Sequence, residues 1–217
     1  MDDLLASVRP RTVLAEGAVW LPGFALSEAQ ALHQAIAQVS AQAPFRHFRT
    51  RMGQMSAAMT SCGACGWVAD PSGYRYSRTD PQTDQLWPAM PDALRHLAVR
   101  AATEAGYEGF DPASCLLNRY GPGAKMGLHQ DRDEGMPEAP VVSVSLGVPA
   151  RFSFGGLHRT DPKRIIELLD GDVVVWGGVS RFAWHGVSPI RETFHQQTGA
   201  MRYNLTFRAI NAALFRP

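Results

Sequence analysis

Leu32, Ile36 and Val39 recur at helical spacing behind Ser27-Glu-Ala-Gln30, which reads as a capping box, and together they predict an amphipathic helix over about 27–41. Leu94, Leu97, Ala98, Ala101 and Ala105 form a second stripe, with Pro91 suited to a first helical position and Gly106 to a stop. From Ser114 onward the period changes to two. Strands are expected over 114–120, 141–146, 151–154, 164–169, 172–176 and 201–209, separated by Gly121-Pro-Gly123, Gly155-Gly156, Asp170-Gly171 and Gly177-Gly178. Many short strands between such turns indicate a sandwich or barrel. Residues 45–90 show no clear period and are rich in Gly, Ser, Thr, Met, Pro and aromatics, which predicts a loop-rich insertion or lid rather than a core element.

The chain of 217 residues fits a single domain, 1–217, and 45% hydrophobic residues can bury a core. Lys and Arg number 21 against 20 Asp and Glu, so bulk charge does not mark a nucleic-acid binder; any contact with DNA or RNA falls to a local site. Three cysteines, Cys62, Cys65 and Cys115, argue against a disulfide framework, and a zinc site on Cys62 and Cys65 needs two further ligands, so free thiols are expected. The Met-Asp-Asp start carries no secretory pattern, and apolar runs such as Val173–Trp176 are too short to span a bilayer, so a cytoplasmic protein with no membrane partner is expected.

His129 and Asp131 stand at i and i+2, and on extended chain they share a face. His185, after the 172–176 strand, is a third candidate. Two imidazoles and one carboxylate make the facial triad of non-haem iron(II), which leaves positions open for co-substrate and oxygen. Zinc stays possible, although the helical His-Glu-x-x-His pattern is absent. A His-x-Asp is a weak motif by itself, and His33, His47, His96, His158 and His195 read as ordinary histidines. The segment Met201-Arg-Tyr-Asn-Leu-Thr-Phe-Arg208 puts Met201, Tyr203, Leu205 and Phe207 on one face and Arg202, Asn204, Thr206 and Arg208 on the other. Two guanidiniums on one face of a half-buried strand invite an anion. Their Cα atoms stand roughly 20 Å apart at ~3.3 Å per residue, so both side chains would have to lean inward onto one short dicarboxylate. A solvated outer face is the other reading. Asn118 and Tyr120 form a further i, i+2 pair, either donors to the same anion or a solvent-facing edge.

Taken in order, Ala58-Met-Thr-Ser-Cys62, Asp80-Pro-Gln-Thr83, Trp87-Pro-Ala-Met90, Asn118-Arg-Tyr-Gly-Pro-Gly123, Leu128-His-Gln-Asp131, Ser143-Val-Ser-Leu146, Gly171-Asp-Val-Val-Val-Trp-Gly177 and Arg202-Tyr-Asn-Leu-Thr-Phe-Arg208 resemble the AlkB dioxygenases over about residues 15–208. The resemblance implies a mainly β double-stranded β-helix (jelly roll) with flanking helices, its catalytic core over about 114–210, and an N-terminal helical and lid extension. It implies iron(II), 2-oxoglutarate and O2, and oxidative removal of alkyl groups from bases such as 1-methyladenine and 3-methylcytosine in DNA or RNA. The base would be single-stranded or flipped out, and the protein a monomer. His129, Asp131 and His185 are then iron ligands. Asn118, Tyr120, Arg202, Asn204 and Arg208 hold 2-oxoglutarate, Arg202 taking the distal carboxylate. Residues 45–90 become a nucleotide-recognition lid: Trp67 stacks on the base with His129 opposite, Tyr74 and Tyr76 approach phosphates, and Arg46, His47, Arg49 and Arg51 form a basic funnel. Asp133 suits a cationic base, while Met59, Leu116 and Trp176 wall the pocket. An oxygenase of the same chemistry acting on a protein or small molecule, and a non-catalytic metal or nucleic-acid binding module, are the rival readings. Alkylated oligonucleotides and succinate formation tell them apart.

Overall fold

The computed structural model describes residues 9–51, 53–132, 134–211 and 213. The chain opens with β1 (Thr12–Ala15) and β2 (Ala18–Leu21), then α1 (Ala29–Gln42). Five strands follow: β3 (Arg49–Thr50), β4 (Gly53–Gln54), β5 (Ala58–Gly63), β6 (Gly66–Asp70) and β7 (Gly73–Ser77). After α2 (Asp92–Glu104) come β8 (Ser114–Tyr120), β9 (Met126–His129), β10 (Val141–Gly147), β11 (Ala150–Phe154), β12 (Arg164–Leu168), β13 (Val173–Trp176), β14 (His185–Val187) and β15 (Arg202–Arg208). Two main antiparallel sheets result, one of seven strands ordered β1-β2-β13-β10-β15-β8-β5 and one of four ordered β12-β11-β14-β9, beside the two-stranded pairs β3–β4 and β6–β7. They pack face to face through Val141, Val174 and Trp176 on one side and Phe152, Phe154 and Leu168 on the other. This is the expected double-stranded β-helix.

Both helices cover the outer face of the larger sheet. Leu32, Ile36 and Val39 of α1 and Leu94, Leu97 and Ala101 of α2 share a core with Val142, Val144, Leu205 and Phe207. Alternation on β10 and β15 then turns Ser143, Ser145, Arg202, Asn204, Thr206 and Arg208 toward the interior between the sheets. The expected half-buried strand is thus buried on both faces: Arg202 is 1% exposed and Arg208 6%. The solvated-face reading of these residues is excluded.

Three expectations need correction. Ser27 caps nothing: a 3-10 turn, Leu26–Glu28, precedes α1, and backbone amides of the turn are met by Gly23 and Ala25 carbonyls. Pro91 is the residue before α2 rather than its first. Residues 45–90 are not merely loop. β5 is an edge strand of the main sheet, paired along β8 and buried at Ala58, Met59, Thr60, Ser61 and Cys62, while β6 and β7 form a hairpin. Ala58 and Met59 are followed by Thr60 and Ser61 and then Cys62, so polar and apolar residues do not alternate along β5 and it shows no period.

Asp172, the residue before β13, is wholly buried, and its carboxylate accepts two bonds from Arg9 (2.8 Å each), one from Trp20 Nε1 and those of the Gly23 and Leu169 amides. Asp172→Asn turns an amide against these donors and strands Arg9. A loss of about 3 kcal/mol and a Tm lowered by roughly 6–12 °C are expected. A calorimetric Tm within 2 °C or so of wild type would show that Arg9 and the amides are satisfied elsewhere.

Candidate active site

His129 ends β9 and His185 begins β14, and the two are direct cross-strand partners with ring centroids 4.3 Å apart. The strands approach closely because Gly186 has no side chain: a Cβ there would lie 2.9 Å from the Met126 carbonyl oxygen. His129 Nδ1 lies 2.8 Å from the Gly127 carbonyl and His185 Nδ1 2.9 Å from that of Ala183. A carbonyl only accepts, so each Nδ1 carries the proton and each Nε2 offers a lone pair. His129 Nε2 stands 3.8 Å from Asp131 Oδ1, and His185 Nε2 4.0 Å from Asp131 Oδ2. These separations exceed a hydrogen bond. With all three donor atoms within 4.8 Å of one another, the group could hold one metal ion. His185 packs against Trp176 at 4.8 Å, and burial, then the neighbouring His129, pushes its pKa down to about 4, which keeps the ring neutral.

Asp131 lies beyond the end of β9. Burial favours its neutral form, but the Arg208 guanidinium and the two imidazoles outweigh burial and hold the carboxyl well below the usual range. Arg208 donates from Nε (3.1 Å) and Nη2 (2.8 Å) to Asp131 Oδ2. Its Nε also lies 3.3 Å from Glu134, which is paired in turn with Arg181 at 3.1 Å. Two buried carboxylates thus face two buried guanidiniums. Glu134 and Arg181 escaped the sequence reading, since no motif or period marks them.

At the other end of the same cavity Arg202 has a different character. Its Nη2 donates to Ser145 Oγ at 2.9 Å and its guanidinium lies 5.2 Å over the Tyr120 ring, but Nε and Nη1 have no partner among the described residues. A buried cation with spare donors is costly unless an anion meets it. Asn118 Oδ1 and Trp176 Nε1 are likewise buried without partners. Leu116, Asn118, Tyr120, Trp176, His129 and His185 line the cavity along with both arginines.

The sequence profile of the 2OG-Fe(II) oxygenase superfamily matches residues 17–208. The chain is 53% identical over 210 residues to the alpha-ketoglutarate-dependent dioxygenase AlkB of Escherichia coli K12, covering 96% of this chain and 97% of that one. This chain belongs to the AlkB family. It is also 33% identical over 165 residues to the Arabidopsis thaliana DNA N(6)-methyladenine demethylase ALKBH1C, covering 64% of this chain and 36% of that longer one. Its fold is similar to the solved structure of OsALKBH1, with a TM-score of 0.79 and 28% identity over 92% of this chain and 100% of that one. AlkB-family membership brings iron(II), 2-oxoglutarate and O2 with it. Two imidazoles and a carboxylate suit iron(II), and the unpaired donors of Arg202 suit a carboxylate.

Other expected site residues of this AlkB-family chain are placed less simply. Asn204 lines the cavity as expected, while its amide donates to Ser143 Oγ and the Val144 carbonyl and its oxygen accepts from Thr206 and, at 3.4 Å, from Asn118. Met59 is wholly buried behind the cavity wall in a core shared with Leu116, so it packs rather than lines. Trp67 is half-buried, edge-on to Phe48 (5.8 Å) and stacked on Tyr74 (5.3 Å, 22°), while the ring contacts of His129 are to His185. Tyr76, expected beside phosphates, is buried, and its phenol donates to Glu134 at 3.0 Å. Arg46 leaves the expected funnel: it is clasped by Asp80 (2.6 Å to each oxygen) and lies over Phe48 and Trp87. His47, Arg49 and Arg51 remain exposed. Asp133 lies outside the described residues. Cys62, Cys65 and Cys115 are free and buried, and among the described residues only His129, Asp131 and His185 form a cluster able to hold a metal. No helix among them is long and apolar enough to cross a membrane.

Proposed function

We propose that the chain removes alkyl groups oxidatively from nucleobases such as 1-methyladenine and 3-methylcytosine in DNA or RNA. The observation that carries this reading is a single cavity lined at one end by His129 and His185, with Asp131 close enough to complete a group able to hold a metal, and at the other by a buried guanidinium with two unpaired nitrogens. Iron(II), 2-oxoglutarate and O2 supply the oxidant that hydroxylates the N-alkyl carbon, with succinate and CO2 released and the hydroxyalkyl group leaving as an aldehyde. His129, Asp131 and His185 would hold the iron, oriented by the carbonyls of Gly127 and Ala183 and by Arg208. Arg202 would take the distal carboxylate of 2-oxoglutarate, and Tyr120 and Asn118 the rest of its length. Asn204 keeps Ser143 and Thr206 in place on the same wall. Phe152, Trp176 and Leu116 keep water from the reacting centre.

A base inside a duplex cannot reach this cavity, so the substrate is read as unpaired or flipped out, and the protein as a monomer. Residues 45–90 serve as the recognition lid. Trp67, braced by Phe48, is the aromatic platform, and exposed Tyr74 extends it. Asp133 favours a cationic base, and His47, Arg49 and Arg51 meet the backbone. A panel of alkylated and unmodified oligonucleotides, read by mass spectrometry with iron(II) and 2-oxoglutarate, tests the reading; succinate formed with no dealkylated base in any of them would move the substrate to another class. Trp67→Ala should weaken oligonucleotide binding about ten- to a hundredfold, the worth of one stacked base, while succinate formed without nucleic acid persists. Parallel loss of Tm, succinate formation and binding would instead make Trp67 a packing residue.

A further inference from the structure

Asp131 sits two residues beyond β9, so its carboxylate owes its position to side chains rather than to the ladder. Arg181 binds the segment from within. It donates from Nη1 to the Asp131 carbonyl (2.9 Å), from Nε to that of Ala139 (2.9 Å) and from Nη2 to Glu134 Oε2 (3.1 Å). Arg208 Nε is divided between Asp131 Oδ2 at 3.1 Å and Glu134 Oε1 at 3.3 Å. The Tyr76 hydroxyl donates to that same Glu134 Oε1 at 3.0 Å. Each of these side chains is at least nine-tenths buried, so the ring is shielded from water. Tyr76 alone among them comes from the β6–β7 hairpin, where it is the direct cross-strand partner of Trp67.

We propose that Tyr76 is a positioning residue whose hydroxyl, acting through Glu134 and Arg208, sets the Asp131 carboxylate and ties the metal site to the hairpin that carries Trp67. The proposal rests on the reading of Asp131 as a metal ligand. The mechanism is competition for one guanidinium. The phenol satisfies part of the acceptor demand of Glu134 Oε1. Without it that oxygen has Arg208 as its remaining donor, and a charge-assisted bond in a dry site strengthens as its rivals are removed. Arg208 then shifts toward Glu134 and loosens its hold on Asp131 Oδ2. Tyr76→Phe removes only the hydroxyl.

The test titrates Co(II) into the protein without co-substrate or nucleic acid, followed by calorimetry and by the visible absorption of the bound ion, which reports ligand geometry. Tyr76→Phe should lower Co(II) affinity roughly tenfold, the lower end for an outer partner of a metal ligand, and alter the spectrum. Glu134→Gln, which weakens the competitor for Arg208, should keep near-wild-type affinity, and added to Tyr76→Phe it should restore most of the affinity that loss of the hydroxyl removes. Tyr107→Phe, which loses an equivalent phenol bond to the Gly17 carbonyl far along the chain, should keep wild-type affinity whatever its Tm. Wild-type affinity and spectrum in Tyr76→Phe, or strict additivity with Glu134→Gln, would overturn the proposal. Loss of Co(II) binding in His129→Ala checks the metal reading separately, and neither measurement depends on the substrate class.

Discussion

Arg202→Met is expected to raise the 2-oxoglutarate KM by on the order of a hundredfold while leaving the metal-free protein as stable as wild type, or slightly more so. The two effects separate because this arginine is poorly served by its own protein. Nε and Nη1 are unpaired, one hydrogen bond runs to Ser145, and burial lowers the pKa of the guanidinium. Each unmet donor costs about 1–3 kcal/mol, against about 1 kcal/mol for the Ser145 bond and a comparable gain over the Tyr120 ring. A methionine of similar reach removes both sides of this balance and adds apolar packing. A bound carboxylate, by contrast, loses a buried charge partner, a loss of about 2–5 kcal/mol or roughly thirty- to several-thousand-fold. Succinate formation against 2-oxoglutarate concentration, with calorimetry of the metal-free variant, measures both. An unchanged KM would place the anion elsewhere, and a Tm lower by more than about 5 °C would show that Arg202 is structural.

Asp131→Ala should abolish iron-dependent turnover and also destabilise the fold, whereas His129→Ala should abolish turnover alone. His129 is about two-fifths exposed and leaves no partner stranded. Asp131 is buried, and Arg208 directs both Nε and Nη2 at its Oδ2. Breaking a buried pair costs about 3–5 kcal/mol, and Glu134 still faces Arg208, so a loss near the bottom of that range and a Tm lowered by roughly 6–12 °C are expected. Arg208→Met in the Asp131→Ala background should restore most of that stability without restoring turnover, because it removes the stranded cation but not the missing ligand. Equal Tm values for the two ligand variants would mean that Arg208 is neutralised by Glu134 alone.

Much of this molecule is legible in its order of residues. Six strand segments and two helices follow from period and turn residues, since a strand with unlike faces alternates and a helix with one buried face shows a stripe. His129 and Asp131 announce a shared site by spacing, and the matched motifs bring in His185 from more than fifty positions away. β5 is unreadable because its residues, Ala58-Met-Thr-Ser-Cys62, do not alternate in polarity, and β9 and β14 are too short to show a period.

The different fates of Arg202 and Arg208 belong to the tertiary structure. Locally the two are equivalent: the same residue type on the same face of β15. The register of β15 sets Arg202 opposite Gly147 on one side and Tyr120 on the other, where no carboxylate waits, and its Nη2 reaches only Ser145. The same strand brings Arg208 to Asp131 and Glu134, residues on a segment that Arg181 holds. Likewise Arg46 looks like one member of a basic run until Asp80 clasps it, and Tyr76 looks like a surface aromatic until its phenol meets Glu134. Periodicity determines which face a side chain occupies, because that depends on neighbours along the chain. Which cation keeps a free donor depends on the charges the fold packs around it, and those come from segments tens of residues away.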